Sequence, residues 1–534
     1  MAHAGIPLLA GLRYLMGRRS EALPALPPQE DGMRAALGAR LALALSNLHF
    51  GDAAPQLPET LARTLRPYQL EGVRFLVNVT ESGFGACLED DMGLGKTLQV
   101  IAWLAHLQGR GVLGESGQGA ALIIAPASLL TNWQQELARW APQLRVVTLH
   151  PYALSRQETT LLHTDPAWLL RRAHVALTTY GIATREEMLA RVKLPALSLD
   201  EAQAIKTPGS QRTRAILRLD AARRVALTGT PVENSLTELR SIFEFLNPGL
   251  LGSEKEYNAL VRDLGADYTP LRRLVRPFLL RRLKTDPALL PDLPPKTEQP
   301  AWCLLTPEQA RLYAREVENL RAVIAEPDAK TRLMLILPIL GRLKQICNHP
   351  AQYLGEAYYD PAASGKFARL GHLARRISSA GEACLVFTQY RSIIPALHDF
   401  LEEIFGVPGL TLHGGTPIPE RQRIVEAFQT PGAPPFIILS LKAAGTGLTL
   451  TRARHVIHFD RWWNPAVENQ ASDRAHRLGQ TQSVIIHPFI CTGTIEENIH
   501  NMLRRKTAMA DALLSTGLEK LLLHLTPEEL MQLI

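Results

Sequence analysis

A glycine-rich segment, DDMGLGKT at residues 90–97, constrains the fold of this chain more than any other part of its sequence. It follows a short apolar run, Ala86–Leu88, that can form a buried strand, and it leads into a helical pattern at 97–104. Glycines at 93 and 95 allow backbone N–H groups to converge on a polyphosphate with no Cβ in the way. The N-terminus of the following helix adds a positive partial charge. The segment therefore predicts a strand, a phosphate-binding loop and a helix.

Two side chains at the end of this segment supply the chemistry of a nucleotide site. Lys96 can reach the outer phosphates, and the hydroxyl of Thr97 can ligate Mg²⁺. One position departs from the general pattern, because Asp90 stands where GxxxxGK[ST] has its first glycine. Taken alone, the segment leaves an ordinary glycine-rich turn between a strand and a helix as an alternative.

Size and composition limit the class of protein. The chain has 534 residues, and the usual domain size predicts about three or four units. A net charge of +7 permits an anionic partner without establishing one. The five cysteines form no CxxC pair, which argues against a structural zinc site and indicates reduced thiols in a reducing compartment. No apolar stretch reaches about 18 residues, so we expect no membrane span and a cytoplasmic protein.

Short apolar runs alternate with helical patterns in two separate parts of the chain. Near-continuous apolar strands that alternate with helices predict a parallel sheet covered on both faces, and hence an α/β fold class. The sequence between these parts shows mainly helical patterns. The predicted segments are an N-terminal helical leader (1–60, with a helix near Met33–Leu48), a first α/β domain (61–247), helical insertions and a linker (248–365), a second α/β domain (366–505) and C-terminal helices (506–534). A threonine cap, a proline and acidic residues at Leu525–Leu530 predict a terminal helix.

Two adjacent acids, Asp200 and Glu201, follow the predicted strand at 197–199. Ligands of parallel α/β sheets bind beyond the carboxyl ends of the strands, and paired acids there suit a Mg–ATP site. Asp200 would hold the metal, directly or through water, and Glu201 would polarise the attacking water. A solvated acidic turn is the alternative for an isolated pair.

The second α/β domain lacks a phosphate loop but has two arginines three positions apart, Arg474 and Arg477. On a helix, residues at this spacing share a face. A guanidinium suits a transferring phosphoryl group because it is always charged and binds bidentately. A solvated basic helix face is the alternative, and an arbitrary pair at this spacing would favour it.

Ten segments in order, between about Leu65 and about Lys506, resemble the Swi/Snf family of superfamily-two helicase-like ATPases. They are LRPYQLEGV (65–73), DDMGLGKT (90–97), IIAPASLLTNWQQE (123–136), LTTY (177–180), DEAQ (200–203), LTGTPVEN (227–234), LKQICNHP (343–350), VFTQY (386–390), GTGLTL (445–450) and DRWWNPAVENQASDRAHRLGQ (460–480). Each segment alone is moderately specific, and together in this order they leave little room for chance.

The resemblance implies two RecA-like parallel-sheet domains in tandem, with helical insertions between them and a helical C-terminal end, that close on ATP and Mg²⁺ in the cleft between them. It implies that Gln69 contacts the adenine and that Asp90 is normal for this loop. The catalytic residues that it implies are Lys96, Glu201, Arg474 and Arg477, the two arginines as arginine-finger candidates. The nucleotide-binding residues that it implies are Gln69, Asp91, Met92, Gly93, Leu94, Gly95, Lys96, Thr97, Gly445 and Gln470, with Thr97 and Asp200 on the metal.

Two positions depart from the family pattern. Ala444 stands where the family usually has glycine, and Thr449 stands where it usually has asparagine. Both lie in the segment that the resemblance assigns to coupling between nucleotide state and nucleic-acid binding, so coupling is the property that these departures affect.

A basic cluster is the candidate for DNA contact. Six positive charges fall within thirteen residues: Arg272, Arg273, Arg276, Arg281, Arg282 and Lys284. Such a cluster can neutralise DNA phosphates, and binding would then weaken steeply with salt, while a solvated helix–loop surface is an equal alternative. The resemblance adds contacts at Thr131, Thr178, Tyr180, Gln389, His413, Gly414 and Thr446.

These observations predict an ATP-driven translocase on double-stranded DNA, and the resemblance implies that it remodels or displaces DNA-bound proteins. The alternatives are a strand-separating DNA or RNA helicase and a nucleotide-gated scaffold subunit with weak ATPase activity. The DEAQ form and compact size resemble bacterial members, for which a nucleoid-associated location is expected, against a nuclear one for a eukaryotic chain. The short leader suggests that a partner chain supplies targeting.

Overall fold

The computed structural model describes residues 54–114, 119–229, 236–264, 268–284, 286, 289–290, 292–324, 328–430, 432–444, 448–462 and 465–504. The helices predicted near Met33–Leu48 and Leu525–Leu530 lie outside these residues. The chain divides into two compact units, Met1–Leu290 and Pro291–Ile534.

Sixteen strands lie within the described residues. They are β1 (Ala86–Leu88), β2 (Ala121–Ala125), β3 (Val146–Thr148), β4 (Val175–Thr179), β5 (Lys193–Leu194), β6 (Leu197–Leu199), β7 (Asp220–Ala221), β8 (Arg224–Leu227), β9 (Leu279–Leu280), β10 (Lys296–Glu298), β11 (Ala301–Cys303), β12 (Cys384–Thr388), β13 (Leu410–Leu412), β14 (Phe436–Ser440), β15 (His455–His458) and β16 (Val484–Cys491).

The described helices of the first unit are α1 (Glu59–Thr64), α2 (Pro67–Glu81), α3 (Lys96–Gly109), α4 (Leu130–Trp140), α5 (Arg156–Thr164), α6 (Pro166–Arg171), α7 (Tyr180–Arg185), α8 (Gln211–Leu217), α9 (Leu236–Leu246), α10 (Glu254–Leu264) and α11 (Thr269–Val275). Those of the second unit are α12 (Pro307–Ile324), α13 (Ala329–Asn348), α14 (Pro350–Leu354), α15 (Gly365–Ser379), α16 (Ile394–Phe405), α17 (Ile418–Gln429), α18 (Leu441–Ala444), α19 (Pro465–Ser472) and α20 (Ile495–Arg504).

The first unit is built on a seven-stranded sheet in the order β3-β4-β2-β6-β8-β1-β9. Every neighbouring pair in it is parallel. Every residue of β2 and β4 is buried, as expected for apolar strands covered by helices on both faces. This arrangement brings the carboxyl ends of β1, β6 and β8 to one edge of the sheet, where the predicted site residues follow them.

The second unit has its own parallel sheet, in the order β10-β16-β15-β12-β14-β13, and β11 also pairs with β16. Its central strands β12 and β14 are buried at every position. The α/β fold class with two parallel-sheet domains, predicted from the alternation of apolar runs and helices, is therefore confirmed.

The segment predicted as mainly helical, 248–365, also contains three short strands. β9 joins the sheet of the first unit, while β10 and β11 join that of the second. These strands have two or three residues each, too short for a periodic pattern to reveal them. The division between the units falls inside this segment, and the four boundaries between the predicted segments stay predictions.

Candidate nucleotide site

The loop between β1 and α3 contains the predicted phosphate-binding segment. Gly93 and Gly95 have φ angles of 87° and 78°, in the left-handed region where a side chain is unfavourable. Gly95 is the N-cap of α3, so Lys96 and Thr97 stand in its first turn. The predicted succession of strand, loop and helix is present, and the free backbone N–H groups of a helix start favour an anion here.

The ammonium group of Lys96 contacts the main chain of this loop. Its Nζ donates to the main-chain carbonyl of Asp90 and, at 3.4 Å, to that of Asp91. Burial lowers the pKa of Lys96, while the negative charges of Asp90, Glu201 and Asp200 act to raise it. Lys96 is therefore a cation held among loop carbonyls and acids, where phosphate oxygens can compete for it.

The two acids follow β6 as the sequence predicts. Asp200 accepts a hydrogen bond from the Trp133 indole at 2.8 Å and from the Glu201 main-chain N–H at 2.9 Å. Burial and the Glu201 charge raise the pKa of Asp200 to about 6. Within the described residues, Glu201 alone among non-glycine residues has a positive φ, 51°. Such a conformation costs on the order of 1–3 kcal/mol and is typical of functional sites.

The donor set of this site fits a magnesium ion. Mg²⁺ binds through one or two carboxylates together with substrate phosphates. Burial, together with the charge of Glu201, raises the pKa of Asp200, and a divalent cation would relieve the repulsion between the two carboxylates. Asp200 and the Thr97 hydroxyl are the residues that would hold the ion.

Gln69 lies on α2 with its side chain buried against the phosphate loop. Its Nε2 donates to the carbonyl of Leu94 at 3.1 Å, and its Oε1 accepts from the N–H of Arg66 at 3.0 Å. A Cβ at Gly95 would lie 2.3 Å from this Nε2, so the glycine permits the close contact. Both ends of the amide thus have protein partners, and adenine recognition by Gln69 stays a prediction.

Met92 connects the loop to the turn after β8. A Cβ at Gly229 would lie 2.8 Å from the Cγ of Met92, so this glycine allows the two segments to touch. Thr228 donates from its Oγ1 to Gln203 at 3.1 Å, and Gln203 in turn donates to the Glu201 carboxylate. The turns after β6 and β8 are therefore joined to the acidic pair by hydrogen bonds.

Sequence reasoning missed the groups that hold the acids in place. The Trp133 indole binds the Asp200 carboxylate, and the Tyr180 hydroxyl donates to the Asp200 carbonyl at 2.8 Å. Trp133 is fully buried on α4. The signal was an isolated tryptophan in an otherwise polar stretch, NWQQE, whose N–H needs a partner when it is buried.

The arginines predicted in the second unit are not on a helix, which corrects the shared-face prediction. Helix α19 ends at Ser472, and Arg474 and Arg477 lie in the turns after it. Arg474 is 3% exposed. Arg477 donates from Nη1 to the hydroxyl of Thr449 at 3.2 Å, which gives this departure from the family pattern a partner. Gln470 is half-buried on α19.

The residues proposed for nucleic-acid contact separate into exposed and buried groups. Partly or fully exposed are Thr131, Arg281, Lys284, Gln389, His413 and Gly414. Gly445 and Thr446 lie outside the described residues. The Gln389 N–H donates to the Asp460 carboxylate at 2.9 Å, and the His413 N–H donates to the Thr416 hydroxyl at 3.1 Å.

Three of the predicted contacts are buried and have partners within the first unit, and their contact with DNA stays a prediction. Thr178 is fully buried and donates to the carbonyl of Leu149 at 3.1 Å. Tyr180 is 5% exposed and supports Asp200. Arg282 is 9% exposed and makes an ion pair with Asp90. All three side chains therefore have internal partners in the first unit.

Family models match both parts of the chain. A model described as the SNF2-related domain matches residues 68–352, and one described as the helicase conserved C-terminal domain matches residues 365–479.

Among the described helices, none is both long and apolar enough to cross a membrane.

Several curated proteins are similar over most of the chain. YwqA of Bacillus subtilis, whose name proposes an ATP-dependent helicase or translocase, is 44% identical over 90% of this chain and 52% of its own length. A mouse SWI/SNF-related regulator of chromatin, subfamily A member 1, is 32% identical over 88% of this chain and 45% of its own length. The chain therefore spans about half the length of these relatives.

A solved structure is also similar. The Sulfolobus solfataricus SWI2/SNF2 ATPase core in complex with dsDNA is 37% identical, with coverage of 90% of this chain and 98% of the solved one, at a TM-score of 0.43.

Proposed function

The chain belongs to the SNF2-related family of helicase-like ATPases, and from that premise we propose that it is a DNA-dependent ATPase that moves along double-stranded DNA. One observation supports the ATPase proposal above the others. The phosphate loop, its lysine and the acidic pair meet at one edge of the first sheet, and the charges of Asp200 and Glu201 act on Lys96.

The residues of the first unit have separate proposed roles. Lys96 and the loop N–H groups hold the triphosphate and its developing charge, while Thr97 and Asp200 hold Mg²⁺. The ion, when bound, neutralises phosphate charge. Glu201 orients the attacking water, and its left-handed backbone and the bond from Gln203 fix its carboxylate. Gln69 reads the adenine.

The second unit is proposed to supply the positive charge for catalysis. Arg474 and Arg477 are always charged and suit a transferring phosphoryl group, with Gln470 and Gly445 beside the nucleotide. The buried main chain of Arg474, whose carbonyl accepts from the Leu450 N–H at 2.9 Å, holds this turn in place. These roles rest on family membership.

Double-stranded DNA is the proposed track. The exposed candidates, Thr131, Arg281, Lys284, Gln389, His413, Gly414 and the undescribed Thr446, would contact its sugar–phosphate backbone, which carries no base information. The chromatin-regulator names of relatives support DNA as the substrate class. Remodelling or displacement of a DNA-bound protein is the finer part of this proposal.

The test is the ATPase rate of the full chain with no nucleic acid, duplex DNA, single-stranded DNA and RNA. Strong stimulation by duplex DNA alone is expected. Equal stimulation by single strands would instead favour a strand-separating helicase, and a near-zero rate throughout would favour a nucleotide-gated scaffold. Raised salt should weaken DNA stimulation steeply, because phosphate contacts release counterions.

A second assay separates movement from displacement. A duplex with a third strand and a duplex with a tightly bound protein are incubated with the enzyme and ATP. Release of the third strand without release of the protein would keep the translocase and reject the remodelling proposal.

A further inference from the structure

The segment that follows β9 is hydrogen-bonded to the start of the phosphate loop. The Glu89 N–H donates to the Leu280 carbonyl at 2.8 Å, and the Asp91 N–H donates to the Arg282 carbonyl at 3.0 Å. The Lys284 N–H donates to the Asp91 carboxylate at 2.9 Å. The first half of the loop therefore extends the pairing between β1 and β9.

The Arg282 side chain enters the loop from this segment. Its Nε donates to Asp90 Oδ1 at 2.8 Å and its Nη2 to Asp90 Oδ2 at 2.5 Å, a bidentate pair between residues 192 positions apart. Nη2 also donates to Gln99 on α3 at 2.8 Å, and Nη1 donates to the Tyr68 carbonyl at the start of α2. One guanidinium thus joins the loop to both helices that flank it.

Space for this arrangement depends on a glycine in α2. A Cβ at Gly72 would lie 1.8 Å from the Gln99 Oε1 and 2.8 Å from the Arg282 Nη2. Gln99 is fully buried and also donates to the Asp90 carboxylate at 3.0 Å, so it has no room to move aside. The site is built around the ion pair.

The charge of Asp90 gives the pair its importance. Asp90 is fully buried, and its carbonyl accepts from the Lys96 ammonium. A buried carboxylate without its cation would attract Lys96 and repel the phosphates proposed to bind there. The guanidinium supplies the neutralising charge in the strongest geometry available to an arginine.

We propose that Arg282 is a positioning residue for the phosphate loop, which neutralises Asp90 and thereby leaves Lys96 available to the nucleotide. This inference rests on the proposed nucleotide site. It gives Asp90, in the place of the usual first glycine, a defined partner from the far end of the unit.

The test measures the Kd of a non-hydrolysable ATP analogue with Mg²⁺ for the full chain and five variants. Arg282→Gln removes the charge, Asp90→Asn removes its target, and the double variant removes both. Arg74→Gln is the matched control, because Arg74 is exposed on the same helix as Tyr68. Circular dichroism monitors folding of each variant.

Removal of one partner of a buried charge pair is expected to weaken binding in Arg282→Gln by roughly tenfold to a hundredfold. The double variant should bind more tightly than Arg282→Gln, since the unneutralised carboxylate is gone, and the control should match the wild type. An Arg282→Lys variant should fall between, since it keeps the charge but not the fork.

The outcomes separate the two proposals. Failure of the wild type to bind the analogue would overturn the nucleotide site and this inference together. Wild-type binding by Arg282→Gln would overturn the inference alone, as would a double variant that binds no better than Arg282→Gln. If Arg282→Gln does not fold, two other comparisons of Kd take its place. Wild-type binding by Arg282→Lys would then overturn the inference, as would a double variant that binds more weakly than Asp90→Asn.

Discussion

The two units place lysines in opposite surroundings. Lys96 in the first unit is partly exposed and donates to the loop carbonyls of Asp90 and Asp91, and burial lowers its pKa. Lys366 in the second unit is fully buried and lies 2.7 Å from the Glu496 carboxylate. Burial acts to lower the pKa of Lys366, but the negative charges around it, with Glu496 the strongest of them, together raise that pKa.

The difference separates a lysine suited to a ligand from one suited to the fold. Lys366 also donates to Asn348 at 3.0 Å, and Glu496 accepts from the Cys491 N–H at 3.1 Å. Both charged groups therefore have further hydrogen-bond partners within the second unit. Lys96 has carbonyl partners that a phosphate can replace at little cost. The role of each lysine is therefore indicated by the groups that its ammonium contacts, and not by the extent of its burial.

Lys96→Ala should have the largest effect. Both phosphate binding and transition-state stabilisation are lost, so kcat/KM for ATP should fall by roughly 10⁴-fold or more while the fold is kept. Steady-state ATPase assays with duplex DNA measure this, with circular dichroism as the control. A variant that hydrolyses ATP at the wild-type rate would refute the site.

Arg477→Ala should lower kcat by about 10³-fold or more if it acts as an arginine finger, with the Kd of nucleotide largely unchanged. Its bond to Thr449 makes Thr449→Ala the informative comparison, expected to have a much smaller effect. Single-turnover hydrolysis measures the chemical step. A modest loss for Arg477→Ala would transfer the role to Arg474.

Lys366→Met should destabilise the protein without any direct part in chemistry. It leaves Glu496 buried and unpaired, at a cost of about 3–5 kcal/mol. Addition of Glu496→Gln should recover much of the loss, because no charge then stays buried alone. Thermal melting of the full chain is the measurement, and unchanged melting of Lys366→Met would break the contrast with Lys96.

Asp200→Asn should stabilise the protein while it removes activity. The folded protein binds the Asp200 proton more tightly than the unfolded chain does, with a pKa of about 6 against 3.8 for an unperturbed aspartate. Ionisation at pH 7 therefore costs folding free energy, and the variant should gain about 1–2 kcal/mol there.

This gain has a pH dependence of known sign. The cost of ionised Asp200 accumulates as pH rises from about 4 to about 6, so the advantage of Asp200→Asn should shrink as pH falls towards 4. Melting temperatures of the wild type and of Asp200→Asn at pH 7 and at about pH 4, without Mg²⁺ and nucleotide, measure this dependence. An advantage that is the same at both pH values would contradict the cause given for the raised pKa.

The sequence alone determined the strand–loop–helix unit at Ala86–Gly109, the two parallel sheets and the placement of Asp200 and Glu201 after a strand. Each depends on neighbouring residues, because glycine content, apolar continuity and strand ends are local properties. Strand ends in a parallel sheet then meet at one edge whatever the order of the strands, so the first-unit site was predictable.

Only the tertiary structure showed the internal partners of Arg282, Thr178 and Tyr180, which the basic cluster and the family resemblance assigned to DNA contact. The interior position of Arg282 depends on Asp90, 192 positions away, and no periodicity in its own segment reports such a partner. The turn between the end of α19 and Gln480, which contains Arg474, also depends on a distant segment. The buried Gln480 amide donates to the Thr451 and Ala453 carbonyls. Burial and pairing of a charged side chain are settled by distant segments, because the free energy of an ion pair depends on what surrounds both partners.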